Sequence, residues 1–430
     1  MKQDVLLLII FCMTGCSTKE LKPAGQYPVI DVGSIAGKYQ RVYCSDFFSS
    51  IELIPLETND NSIVYPRVLH DVILANDSLI FILSDTEFGR IIHAPVRRVL
   101  LVFDRYGKYL NHIGSIGQGP GEFLGIHDFY FNPEKPTIFV NDFTSIYEYE
   151  FNGKFIGSFR RPMIEGKFLY SSKCIENNIF FGSSFSREQP IDCFLFDRKS
   201  EIIKIFQSHF FNETDINSKG HIKTFQTDGR LYVKDDGIND TLYVIENFNL
   251  HPICVFDFGK YAYPLGEKNE AGQRKIINFD AGERTSRFFE NTSLIVMPNY
   301  YYYELLSPKS LPAPKSRPEE GFAGKRSLDR LIHGIYDITK NTNVLFDTDH
   351  FQQKGFINDI NGGLSIIPRY YAGNGEVIDI WRADDMKEML TEEYFSTQTI
   401  KDKEAHQKLR ELLKNLKEDD NPVVVIAKLK

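Results

Sequence analysis

Val99–Phe159 decides the fold, with Ile116-Gly117-Gln118-Gly119-Pro120-Gly121-Glu122-Phe123 at its centre. Around that loop, Val99–Phe103, Ile138–Val140, Ile146–Phe151 and Phe155–Phe159 are short apolar or alternating runs bounded by Gly, Asp, Asn or Pro, which is how strands read. Asp104–Gly107 and Asn152-Gly153 close two hairpins, and Asn-Gly is a strong turn signal. The glycine-rich stretch between the hairpins then reads as a crossover from one small sheet to the next. Gly117, Gly119 and Gly121 are expected to supply unusual backbone angles there, and Pro120 to stiffen the turn.

Working outward, His70-Asp71-Val72-Ile73 aligns with His127-Asp128-Phe129-Tyr130, and the match runs on through Ile80-Phe81 and Ile138-Phe139. The offset is about 57 residues, and self-similarity at a fixed period in strand-rich sequence marks a propeller or similar array. A third unit is expected over Tyr170–Ile175, Ile179–Ser183, Cys193–Phe196 and Ile202–Phe206. A fourth follows over Ile222–Gln226, Leu231–Lys234, Leu242–Ile245 and Pro252–Phe258. The fifth has Arg287–Glu290, Leu294–Tyr301, Gly334–Ile338 and Val344–Phe346, interrupted by a Pro-, Ser- and charge-rich insertion, Ser307–Asp329, expected as a mobile loop. The sixth is expected to begin at Phe356–Asp359, turn at Asn361-Gly362-Gly363 and continue through Leu364–Ile367 and Val377–Trp381. Ile51–Leu56 and Val423–Leu429 are orphan strands available to complete it, and closure from both chain ends would remove the exposed edge of an open array. Asp384–Leu390 and Lys401–Leu416 read as helices, the latter with Leu409, Leu412, Leu413 and Leu416 as an apolar stripe. The abundance of Phe (35) and Tyr (22) against one Trp also favours strands.

Met1-Lys2, the apolar run Val5–Met13 and Thr14-Gly15-Cys16 form a short signal peptide, since nine apolar residues cannot span a bilayer. Small residues before a cysteine point to lipidation of Cys16, which would anchor the chain at a membrane surface. The expected organisation is a lipoprotein signal over 1–15, a tether over 16–45 and a propeller over 46–430 with a helical insertion at about 384–418. Removing residues 1–15 takes away Lys2 and Asp4, so the net charge stays at −8. That leaves no basic field for nucleic acid. Cys44, Cys174, Cys193 and Cys254 have no metal-ligand spacing. Cys174 and Cys193, in adjacent expected strands, are either a disulfide or a pair of buried thiols.

Ile116–Phe123, the hairpin Asn152-Gly153-Lys154-Phe155-Ile156, Asn239-Asp240-Thr241-Leu242-Tyr243 followed by Phe256-Asp257-Phe258-Gly259-Lys260, and Asp420-Asn421-Pro422-Val423-Val424 together resemble the six-bladed β-propeller lipoproteins of bacteria, relatives of the NHL-repeat propellers. The resemblance covers residues 47–430. It implies an all-β, six-bladed fold and a cell-envelope address, and it implies no reaction.

In a propeller the starts of the inner strands and the links between second and third strands share one face, the channel mouth. The strand starts are His70/Asp71, His127/Asp128, Ser171/Ser172, Lys223/Thr224, Arg287/Glu290 and Asn358/Asp359. The links add Asp85, Arg90, Asn141/Asp142, Asp235/Asp236, Asn299 and Arg369/Tyr370. Such a polar mouth of mixed sign suits a glycan, a peptide or an envelope protein, with Tyr130, Tyr301 or Tyr370 as stacking faces. Each residue also has a purely structural use, capping backbone groups or holding channel water. His70-Asp71 and His127-Asp128 could hold Ca²⁺ or Zn²⁺ on the axis, as in a metal-dependent lyase, lactonase or glycan-cleaving propeller. Neighbours on a strand face opposite ways, which weighs against both members of either pair reaching the channel. No Gly-x-Ser-x-Gly or His-Glu-x-x-His motif occurs. The expectation is therefore a binding module without catalysis, the Ser307–Asp329 insertion and the outer helix being further places for a protein partner.

Overall fold

In the computed structural model, residues 27–430 are described except 65–72, 86–97, 164–168, 185–190, 208–209, 212–220, 228, 237–239, 278, 280–282, 284–285, 316–318, 322–323 and 327–329. The chain is a six-bladed β-propeller. Blade 1 comprises Ile73–Ala75, Leu79–Asp85, Arg98–Asp104 and Tyr109–Ile113, and blade 2 Asp128–Phe131, Thr137–Asn141, Ser145–Glu150 and Phe155–Arg160. Blade 3 runs from Leu169–Glu176 to Ile202–Gln207 and blade 4 from His221–Thr227 to Asn249–Asp257. Blade 5 comprises Glu290–Val296, Tyr300–Leu306, Leu331–Asp337 and Thr342–Phe346.

The sequence places the crossover correctly. Between blades 1 and 2, Ser115–Ile116 pairs in parallel with Glu122–Phe123, and buried Phe123 packs between the two sheets. Of the three glycines expected to need special angles, only Gly121 has positive φ (+76°), and Gly114 (+64°) joins it. At Gly117 a Cβ would meet only the movable carboxylate end of Glu122, so neither backbone angle nor close backbone approach demands glycine there.

The sixth sheet differs from expectation at its inner edge. Its strands are, from the channel outward, Tyr370–Tyr371, Glu376–Trp381, Val423–Leu429 and Phe48–Pro55. Both chain ends thus complete the blade. Phe356–Asp359 is not its inner strand: Phe356 makes a lone bridge to Ile366 and Ile357 one to Tyr43, because buried Phe356 is drawn into an aromatic cluster with Phe47, Phe48, Tyr302 and Phe346 between blades 5 and 6.

The tether expected over 16–45 is replaced, from Val29 onward, by structure. Val29–Asp31 pairs in parallel with the outer strand of blade 4, and Tyr39–Gln40 with the outer strand of blade 5. Ile30 and Val32 are fully buried, so their side chains hold this belt to the ring.

Large side chains fill the wedges between adjacent blades. Phe81 meets Phe131 and Phe151 edge-on between blades 1 and 2, Phe139 meets Phe180 between blades 2 and 3, and Phe256 meets Tyr303 between blades 4 and 5. Such contacts add about 0.5–1.5 kcal/mol each beyond area burial. Of the four tyrosines 300–303, three are buried.

Helices Ala383–Met389, Glu392–Thr397 and Lys403–Asn415 join the second and third strands of blade 6. Thr391 and Asp402 cap the latter two through their side chains. Buried Leu409 and Leu416, with Leu412 and Leu413, pack Lys403–Asn415 into the core shared by blades 5 and 6, against the outermost strand of the ring, as the apolar stripe predicts.

Cys44, Cys174, Cys193 and Cys254, the cysteines among the described residues, are buried and in the thiol form. Cys174 lies in the core between blades 2 and 3 and Cys193 in the core between blades 3 and 4, so the two project from opposite faces of one sheet and cannot bridge. Within the insertion, Leu311 and Ala313 pack on the core beneath, and Tyr39 donates to the Pro312 carbonyl at 2.8 Å. The described remainder includes a short ladder between Glu319–Gly321 and Gly324–Arg326.

Candidate functional site: the channel mouth at blades 2 and 3

The strongest gathering of mouth residues lies between blades 2 and 3. Asp128 begins the inner strand of blade 2 and stands opposite Asn141, at the end of the second strand. The His127 amide donates to the Asn141 carbonyl at 2.8 Å, and its ring lies 5.6 Å from that of Phe143. From blade 3, Lys173 reaches across to Asp128 Oδ1 at 2.8 Å, with its ammonium 4.6 Å from the centre of the Tyr130 ring. Asn141 Nδ2 donates to the Ser172 carbonyl at 2.9 Å, sewing the two blades together. The Asp142 carboxylate accepts from the Phe143 amide, and from the Leu124 amide at 3.0 Å, fixing the loops that flank the mouth.

Arg161 follows the outer strand of blade 2 and is only 4% exposed. Its Nη1 donates to the Asp142 carbonyl at 2.9 Å, and its amide donates to the Thr144 carbonyl. Burial pushes the guanidinium pKa down, opposed by the nearby Tyr130, Asp128 and Asp142. Burial likewise pushes the Tyr130 hydroxyl well up.

Other expected mouth residues are dispersed. Lys223 donates to the Thr292 carbonyl, tying the inner strands of blades 4 and 5. Asp85, buried, lies 3.4 Å from Arg98. Arg369, just ahead of Tyr370 at the inner edge of blade 6, is 2.9 Å from buried Asp379. Arg287 pairs with Glu283 at 2.7 Å and lies exposed over the rings of Phe279 and Phe288, so it covers a small apolar cluster of its own. Asp359 stands outside the sixth sheet, where it accepts from the Ser45 amide and hydroxyl and pairs with Lys401 at 2.8 Å. It was expected at the mouth because Phe356–Asp359 reads as a strand. Asn299 lies between the first and second strands of blade 5, at the opposite face. Tyr130 and Tyr301 are buried, so neither offers a stacking face. Tyr370 remains half-buried.

His70, Asp71, Arg90 and Cys16 lie outside the described residues, and so do the side chains of Ser171, Asp235 and Asp236. Among the described residues, no three His, Cys, Asp or Glu side chains gather to hold a metal ion. Lys173 and Arg161 are the site residues that sequence reading missed. Lys173 adjoins the expected start Ser171/Ser172 and was within reach, whereas Arg160-Arg161-Pro162 reads as a solvated pair of charges.

The model of a domain of unknown function, DUF4934, matches residues 27–428. This chain belongs to the DUF4934 family. Among curated proteins none matches it. A protein of Bacteroides fragilis described as exported superposes on this DUF4934 chain with a TM-score of 0.62 at 15% identity, over 94% of this chain and 99% of that one. A member of the DUF4221 family from Bacteroides vulgatus gives a TM-score of 0.48 at 12% identity, over 89% of this chain and 97% of that one. The first of these similarities supports the same fold for the DUF4934 chain.

Proposed function

We propose that this protein is a cell-envelope propeller, anchored by lipid on Cys16, that binds a polar ligand or a protein partner at the channel mouth and performs no chemistry on it. The observation that carries the reading is the Asp128–Lys173 pair at the seam of blades 2 and 3, with Asp128 29% exposed above a buried polar floor. Binding sites use a few placed polar groups to orient what they bind. The exported character of the Bacteroides fragilis neighbour and the signal-like start ending in Thr14-Gly15-Cys16 both favour the envelope. The kinship with NHL-like propeller lipoproteins rests on the sequence resemblance. A glycan, a peptide or another envelope protein fits a mixed-sign mouth, and a net charge of −8 disfavours nucleic acid.

Two measurements test this. Labelled palmitate should enter the full chain in cells and be absent after Cys16→Ser. Glycan and peptide arrays probed with the full chain should give ligands whose binding weakens in Lys173→Met. Turnover of a bound ligand that vanishes in a folded Asp128→Asn or His127→Ala variant would replace the binding module with an enzyme, and a requirement for added Ca²⁺ or Zn²⁺ would assign it to the metal-dependent kind.

A further inference from the structure

At the seam of blades 2 and 3, buried Arg161 Nε and Nη2 and Asn141 Oδ1 have no hydrogen-bond partner among the described residues, and Tyr130 Oη and Ser172 Oγ have none there beyond the interaction between the two hydroxyls themselves. None of these side chains is more than 4% exposed. Native folds pair nearly all buried polar groups, so a concentration of unpaired ones in one place calls for an occupant. The residues adjoin one another. Asn141 Nδ2 holds the Ser172 carbonyl, Arg161 Nη1 holds the carbonyl of Asp142, the next residue, and Tyr130 lies one blade-facing position from Asp128 on the same strand.

The atoms left over define the chemistry of the occupant. Nε–H and one Nη2–H of an arginine point the same way and form the fork that takes both oxygens of a carboxylate. In Arg161 this pair is the one left open, while Nη1 is spent on the fold. No carboxylate of the described residues lies within ion-pair distance of the guanidinium: Asp128 is taken by Lys173, and both Asp142 oxygens are taken by backbone amides. The Tyr130 and Ser172 hydroxyls, which face one another, leave one rotatable donor between them, and Asn141 Oδ1 adds an acceptor. An acceptor beside an anion fork suits a donor on the atom next to the carboxylate. Exposed Leu124, Phe143 and Met163 stand on the segments tied together by Asp142 and Arg161, giving the rim an apolar character.

We propose that this seam is a binding subsite for a small hydroxy or amino carboxylic acid with an apolar body. Its carboxylate lies on Arg161 Nε and Nη2, its hydroxyl or amino hydrogen on Asn141 Oδ1, and its apolar part against the Leu124, Phe143 and Met163 rim. This deepens the mouth-binding reading and rests on it.

The test is calorimetric titration of the full chain with phenyllactate and with phenyllactamide, which keeps the hydroxyl and the ring and loses the anion. Phenyllactate should bind, and both the amide on the native chain and phenyllactate on Arg161→Met should bind more weakly by on the order of 30-fold or more, as for loss of one partner of a buried charge pair. If Arg161→Met fails to fold, the paired variant Tyr130→Phe with Ser172→Ala removes both hydroxyls, and with them the donor they offer, without touching the charge and should weaken phenyllactate by several-fold. Equal binding of acid and amide, absence of binding by both, or undiminished binding in the folded variants overturns the subsite. An array ligand that binds the native chain and Arg161→Met alike, yet is lost in Lys173→Met, would remove the subsite while leaving mouth binding standing.

Discussion

Blades 2 and 6 each bury an arginine at the channel mouth and treat it in opposite ways. In blade 6, Arg369 is 9% exposed and pairs with Asp379, whose two oxygens also accept from the Ile367 and Ile380 amides and the Trp381 indole at 2.9, 2.7 and 3.2 Å. In blade 2, Arg161 is more deeply buried, yet among the described residues its side chain makes one hydrogen bond, to a backbone carbonyl. Desolvating a guanidinium costs several kcal/mol unless partners replace water. A saturated pair has met that cost within the fold, and an unsaturated one has left it open. The first arrangement fixes the inner edge of blade 6, and the second is the one on which the proposed subsite rests.

Breaking the saturated pair should have the largest effect. Arg369→Met leaves Asp379 buried without its cation and should cost about 3–5 kcal/mol, read from urea unfolding of the full chain. A loss below about 1 kcal/mol would erase the distinction between the two sites. Next comes the belt, which extends the structural side of the comparison to the outer rim. Ile30→Ala should cost about 2–4 kcal/mol if Val29–Asp31 is a strand of the ring, and almost nothing if it is a tether.

Asp240, ahead of the third strand of blade 4, falls between the extremes. Burial raises its pKa to about 6, only partly offset by Lys234. Between the unfolded carboxyl value near 3.8 and about 6 the folded state binds the extra proton, so this group lowers stability as pH rises through that window. Asp240→Asn should therefore be more stable than the native chain by on the order of 3 kcal/mol at pH 8, with the gap closing as pH falls through about 6 and gone below about 4. The smallest change is expected at Arg161→Met, within about 1 kcal/mol of the native chain, because a costly and poorly satisfied charge is exchanged for an apolar group of similar length. A large loss there would mean that Arg161 belongs with Arg369.

Much of the ring was legible because its strands alternate in the ordinary way and its hairpins end in Gly, Asn and Asp. Thr137–Asn141 and Ser145–Glu150 show this best. Legibility failed where tertiary contacts outweigh local pattern. Tyr370–Tyr371 is too short to announce an inner strand, while Phe356–Asp359 has strand composition and is captured by the aromatic cluster instead. The belt went unseen because three residues, Val29, Ile30 and Asp31, carry no periodicity. At the mouth, the Asp128/Asn141 level was visible from the repeat, but nothing local distinguishes buried Arg161 from its neighbour Arg160, whose side chain is exposed. Burial of a charged side chain is decided by the adjoining blade.

The place of Val423–Leu429 inside the sixth sheet, hydrogen-bonded to Phe48–Pro55 on one side and Glu376–Trp381 on the other, bears on how the protein is made. A ribosome delivers Phe48–Pro55 hundreds of residues before the strand that must lie beside it, so the circle cannot shut while translation is in progress. Until residue 429 emerges, the nascent polypeptide holds an unmatched edge at each end of the array, so the last strand to be made is also the one that locks the ring.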